Sequence, residues 1–182
     1  MSYSESFVML AEYNKWMNRK LYQLASNMDS ASLFSERKAF FGSIYGTLNH
    51  LAVTDTIWLK RFAENSSCNS YLGPIKAAHQ PENLNSLLFD NLVELDTYRV
   101  WLDELILEFV KSLPDAALTE SLTYANMKGV TFRRQVNSLL IHFFNHQTHH
   151  RGQVTTLFSQ VGIDVGVTDI LALIPDTASP LS

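Results

Sequence analysis

The sequence predicts an all-α chain, an antiparallel four-helix bundle with a small β-hairpin inserted before the last long helix. Three observations carry that expectation. Apolar residues recur at alternating steps of three and four along four long stretches. The intervals between them collect Pro, Gly, Ser and Asn, which stop helices. One interval alone shifts to β-type residues around a turn sequence. The 182 residues, 46% of them hydrophobic, suffice for one domain with a substantial core, and residues 1–182 are expected to form a single unit without internal repeats.

The first helix is expected over residues 4–28, where Phe7, Leu10, Asn14, Met17, Leu21, Leu24 and Met28 make a bundle seam. Ser2 or Ser4 caps it, and Glu5 complements the positive helix end. Asn14 is a polar guest on the seam; such a residue fixes register or bonds a neighbouring backbone, and lining a pocket is the second reading. Residues 29–42, with Arg37-Lys38 and Phe40-Phe41-Gly42, read as a connection lying over the bundle. The second helix is expected over 43–64, its stripe formed by Ile44, Leu48, Leu51, Trp58 and Phe62. Asp55 falls in that series where an apolar residue belongs. A carboxylate on a core face must be paired, either in a structural bond to Arg, Tyr or backbone, or as a group orienting a metal-bound histidine.

Gly73-Pro74 and Pro81 mark residues 65–83 as a connection. The third helix is expected over 84–113 through Leu84, Leu88, Asn91, Leu95, Tyr98, Leu102, Leu105 and Phe109, with Pro114 ending it. Residues 115–132 carry the hairpin, turning at Asn126-Met127-Lys128-Gly129. The fourth helix runs over 132–160 and stops at Gly162. Asp169-Ile170-Leu171-Ala172-Leu173 gives one short helix before Pro175, and the Thr, Ser and Pro residues after it are expected to fray.

Composition narrows the partners. A net charge of -4 and a pI near 5.8 argue against grasping a phosphate backbone, so no nucleic acid is expected. Charged residues are only 18% of the chain, below the usual quarter, which points to a surface covered by a second subunit and hence a homodimer. Cys68 is the single cysteine, so no internal disulfide forms. No basic region followed by an apolar run opens the chain, and no stretch matches a membrane span; a cytoplasmic protein without membrane contact is expected.

The chemistry concentrates in His142-Phe-Phe-Asn-His146-Gln-Thr-His149-His150-Arg-Gly-Gln153, which holds four of the six histidines. At about 100° per residue, Val136, Leu139, Phe143, Val154, Leu157 and Val161 share one face, centred about 100° from His142. His146 lies about 40° and His150 about 80° towards that face, and His149 about 20° the other way. The i, i+4 pair His146 and His150 thus points most nearly inward and can offer two nitrogens to one metal ion. A third ligand must come from His50 or His79, and His50 is favoured because it lies on a helix. Inward histidines can also be hydrogen-bonded core residues or an empty cluster. Gln147 stands where a zincin needs glutamate, so zincin chemistry is not expected. Ile141 and Phe144 lie off the main apolar face and would meet a second subunit or pack under the connections.

Asn145-His146-x-Thr148-x-His150-Arg151-Gly152-Gln153, preceded by His142, resembles the last-helix signature of the DinB/YfiT-like family. The resemblance extends to Tyr13-Asn14-x-Trp16-x-Asn18 and to Leu48-Asn49-His50-Leu51 followed by Asp55 and Trp58. It implies an up-down-down-up bundle, a homodimer, and a divalent metal ion, zinc or nickel, held by His50, His146 and His150. His142, Asp55, Asn14 and Gln153 are then candidates for bonding those ligands or lining the pocket, and His149 is peripheral unless the helix phase differs by one residue. Relatives include metal-dependent transferases of low-molecular-weight thiols, with hydrolytic and isomerising enzymes beside them. The expected function is therefore a metal-dependent enzyme activating a thiol or water for transfer to, or hydrolysis of, a small molecule. The alternative is a non-catalytic, stress-responsive dimeric metal-binding module.

Overall fold

A computed structural model describes residues 3–65, 67–68 and 71–176. Ser2, one of the two expected caps, and the tail beyond residue 176 lie outside them, as do Ser66, Asn69 and Ser70 of the loop around Cys68. The described chain is mostly helical with one small antiparallel sheet. Its elements are α1 (Tyr3–Ser26), α2 (Ser30–Phe34), α3 (Ile44–Ala63), α4 (Leu92–Ser112), α5 (Asp115–Leu118), β1 (Ser121–Ala125), β2 (Thr131–Gln135) and α6 (Val136–Gln160), with 3-10 turns at Gly73–Ala77 and Ile170–Leu173. None of the described helices is long and apolar enough to cross a membrane.

Each of the four long helices packs on two others: α1 and α3 both touch α4 and α6. Phe7 stacks on Phe144, and further along both helices Asn14 meets Arg151, so α1 and α6 run the same way. Asp55 meets Arg99 and Phe62 meets Phe109, so α3 and α4 also share a direction. His50 faces His150 whereas Trp58 faces His142, which makes α3 and α6 antiparallel.

The buried seam of α1 is Phe7, Ala11, Asn14, Asn18, Leu21 and Ala25, joined by Met17 and Tyr22; Leu10, Leu24 and Met28 are only partly covered. Alanines at 11 and 25 leave room for neighbouring backbones to come close. α3 is buried on nearly every side, not along one stripe, because α2, α4, α6 and the Gly73–Ala77 turn surround it. Ser43 caps its start, accepting from the Gly46 amide at 2.9 Å.

The third long helix begins eight residues later than its apolar spacing predicts. Asn91 is its N-cap and accepts from the Glu94 amide, so Leu84 and Leu88 belong to the preceding loop. That loop is pinned to α3 by Asn49, which donates to Ser86 O at 2.8 Å and accepts from the Leu88 amide at 3.0 Å. Cys68 lies buried within the same long connection, and burial pushes its thiol up to about 11. The hairpin forms where expected: Tyr124 pairs with Phe132, and the Asn126 side chain accepts from the amides of Lys128 and Val130. β2 takes residues 131–135, so α6 starts at Val136. α6 closes with Gly162 at φ 78, and the Ile163 amide reaches back to Phe158 O at 3.0 Å.

A buried polar network crosses all four long helices. Arg99 of α4 pairs with Asp55 of α3 at 2.6 Å and with Asp103 at 3.0 Å. Asn14 and Asn18 of α1 donate to the same Asp103 oxygen at 3.1 and 2.9 Å. Arg151 of α6 donates to Asn14 Oδ1, so one amide links a buried cation to a buried carboxylate. Burial alone would weaken the hold of Arg99 on its proton, but Asp103 and Asp55 outweigh it and its pKa is raised. Replacing Arg99 by Met strands two carboxylates in the core. Chemical denaturation should show a loss of about 3–5 kcal/mol, and a loss below about 1 kcal/mol would mean the network carries little of the fold.

Candidate metal centre

His50 projects from the middle of α3, and His146 and His150 stand one turn apart on α6. Each of the three offers one nitrogen such that the three atoms lie within 4.8 Å of one another. The Nε2 atoms of His146 and His150 are 3.0 Å apart, and the His50 ring centre lies 4.5 Å from that of His150 and 5.4 Å from that of His146. His50 is 2% exposed, His150 is buried, and His146 is partly open.

Hydrogen bonds at the far ring edges decide which nitrogen faces the cluster. His50 Nδ1 lies 2.9 Å from Leu84 O; a carbonyl can only accept, so Nδ1 carries the proton and Nε2 presents its lone pair. Gln153 Oε1 accepts from His150 Nδ1 at 2.7 Å, so Nε2 of that ring carries the lone pair and accepts from His146 Nε2 at 3.0 Å. Burial pulls the His50 pKa down from 6.5 to about 4 against the help of the Leu84 bond. Burial, with repulsion from His150 and the other histidines, takes His146 down to about 3, and burial also lowers His150. All three rings are therefore neutral at pH 7. Neutral imidazoles whose inner nitrogens converge form a donor set that suits a borderline divalent cation, which would take the place of the proton shared between His146 and His150.

The remaining expected residues fall into three places. Gln153 bonds His150 and, through its amide nitrogen, reaches His149 Nε2 at 3.4 Å, so His149 sits at the edge. His142 stands beside His146 with ring centres 6.0 Å apart and packs edge-on against Trp58 at 5.2 Å. Asp55 and Asn14 touch none of the three imidazoles and are engaged with Arg99, Asp103 and Arg151. Asp55 still favours the charged form of His150 across space. His79 is exposed beyond the Gly73–Ala77 turn and Gln147 is wholly buried; neither joins the cluster. Phe144 is 3% exposed and packs on Phe7 inside the chain, whereas Ile141 is 57% exposed.

Phe41 is the residue that the helical pattern did not single out. Its ring stacks on His50 at 3.6 Å and meets the edge of His150 at 5.4 Å, so it shields one side of the cluster. Lys38 and Gly42 both adopt positive φ to bring it there. Gly46 allows the close approach: a Cβ at that position would overlap the Phe41 carbonyl. The available signal was the Phe40-Phe41-Gly42 run in a connection lying over the helices. On the other side, a cavity of about 230 Å³ opens from His146 and His142 towards Trp58, Arg61 and Met127.

The depressed histidine values set a pH dependence. Unfolded, His50 and His146 take up protons near pH 6.5; folded, they resist to about 4 and about 3. Their neutral burial costs nothing above about pH 6.5, and stability falls as pH drops from there towards 4, because the unfolded chain binds the extra protons. In chelator-treated protein, denaturation midpoints measured between pH 7 and 4.5 should fall more steeply for the wild type than for His146→Leu. Parallel slopes would contradict this assignment.

Comparison with known proteins places these residues in a lineage. The chain is 24% identical over 160 residues to "Protein DinB" of Bacillus subtilis (strain 168), a match covering 88% of each chain. No solved structure matches it significantly. The model of the DinB family matches the sequence over residues 1–178. With the match running nearly end to end, the chain belongs to the DinB family.

Proposed function

We propose that this chain is a divalent-metal-dependent enzyme whose ion, zinc or nickel, is held by His50, His146 and His150 within an up-down-down-up four-helix bundle. The bundle reading is supported by the pairwise helix directions, and the metal reading by one observation above the others. Three neutral imidazoles from two helices converge with their Nε2 edges while backbone and amide groups hold the opposite edges of two of them. Three nitrogen ligands leave a divalent ion able to accept a further group. Bound there, the ion supplies Lewis acidity that lowers the pKa of a water or thiol towards neutrality.

The chain's own residues supply the remainder. Phe41 and the Leu84 loop exclude water from the His50 side. The cavity at His146 gives a small substrate its approach. His142 borders that cavity, and burial, with Arg134 and Arg61 nearby, lowers its pKa, so its imidazole stands neutral there. The reaction class is transfer of a thiol to an electrophilic small molecule, or hydrolysis by the same site. The same reading includes a homodimer, for which exposed Ile141 and Phe40 offer apolar surface.

Zinc- or nickel-loaded protein incubated with a panel of low-molecular-weight thiols and a chromogenic electrophile should turn over. His146→Ala should lose about 100-fold or more, and His79→Ala, remote from the cluster, should not change the rate. No rate above that of His146→Ala for any thiol, or for water, would leave a metal-binding module without chemistry.

A further inference from the structure

We propose that the cavity between His146 and Trp58 takes a small anionic molecule, bearing a carboxylate or phosphate, whose charge is received by Arg61. As a substrate subsite this rests on the reading of His146 as the reacting end of the same cavity; as an anion site it stands on the cavity alone.

Arg61 lies in the last turn of α3, with its guanidinium carbon 4.7 Å from the Trp58 ring centre and 5.1 Å from that of Tyr124. Two aromatic faces fix the planar fork before anything binds, which lowers the entropy lost on recognition. Among the described residues no carboxylate comes within ion-pair distance of it, and no protein acceptor engages its N–H groups; Glu64 acts on it only across space. The half-buried cation therefore carries a desolvation cost that its own chain offsets only in part, through the two ring faces and distant Glu64, and burial lowers its pKa.

The walls select the ligand. No Asp or Glu lines the cavity, in a chain whose net charge is -4. Arg134, across from Leu122 on β2, is exposed and lies outside the lining, but its positive charge reaches His142 across space as that of Arg61 does. Trp58, Ile57, Leu84 and Met127 offer apolar and thioether surface, and Asn126 and Thr54 add polar groups. A volume of about 230 Å³ admits only a small molecule. The match is a short body, apolar or sulfur-bearing, with its anionic end at Arg61 and its other end at His146. A planar guanidinium fork suits carboxylate and phosphate alike.

The test is calorimetric titration of the full-length chain, with and without added zinc, by succinate, inorganic phosphate and the neutral isostere succinamide. Succinate or phosphate should bind in both states, and succinamide at least about tenfold more weakly. Preference between the first two anions identifies a carboxylate or a phosphate ligand. Arg61→Met should lose about tenfold or more in anion affinity with an unchanged circular dichroism spectrum, Arg61→Lys should recover part of it, and Lys111→Met should behave as wild type. Should Arg61→Met fail to fold, Arg61→Lys and the exposed-strand variant Arg134→Gln carry the test, each expected to weaken binding about threefold or more. Neither anion binding, or anion affinity unchanged in the folded Arg61 and Arg134 variants, overturns the proposal. Because the zinc-free arm needs no metal, failure of the metal reading would show separately, as anion binding that persists in a chain unable to turn over thiols.

Discussion

The constraint on which the rest of the structure depends is the pairing of Arg99 with Asp55 and Asp103 in the middle of the helical core. A guanidinium and two carboxylates out of water are tolerable only if each is answered, and the answers come from every long helix. Asn14 and Asn18 bring α1, Asp55 brings α3, and Arg151, acting through Asn14, brings α6. Apolar packing would accept several axial offsets among these helices; directed bonds of 2.6 to 3.1 Å accept very few. That fixed offset is what sets His50 opposite His146 and His150, since His50 stands five residues before Asp55 on α3 and His150 is the neighbour of Arg151 on α6.

Around the histidines the controlling groups are mostly backbone and amide. Asn49 binds the loop of residues 84–88, the loop presents the Leu84 carbonyl, and the carbonyl settles the tautomer of its neighbour His50. Gln153 does the same for His150. Phe41 covers the ring face of His50 because Gly46 lets its backbone lie against the start of α3. The polarity of the centre is thus set by covering and orienting the imidazoles, and the low proton affinity follows from burial and their mutual proximity.

Much of this was legible in the residues. Steps of three and four located the four long helices, because the apolar positions that face a shared core must repeat with the helical turn. The turn Asn126 to Gly129 marked the hairpin, and the count of histidines left His50 or His79 as partner to the α6 pair. The phase of α1 was harder: Ala11 and Ala25 are small and carry little weight in an apolar pattern, yet they lie in the seam, whereas Leu10, Leu24 and Met28 stay partly open. Leu84, Leu88 and Asn91 extend the helical spacing of Leu95 backwards, but Asn49 holds Leu88 in a loop and Asn91 serves as a cap. No periodicity places a ring from a loop, so Phe41 needed the fold. Asp55 stood out as a carboxylate on a core face, and only its neighbours across the core reveal that Arg99 is its partner.

What matters most is whether one cation draws His50, His146 and His150 into a single coordination sphere. X-ray absorption spectroscopy at the zinc or nickel edge of the loaded, untagged protein addresses that without reference to turnover. The expected spectrum has three imidazole nitrogens at about 2.0–2.1 Å with one further light atom, and it loses one imidazole in His50→Ala. A spectrum with fewer than three imidazoles, or one unchanged by removing His50, would contradict a centre shared between α3 and α6.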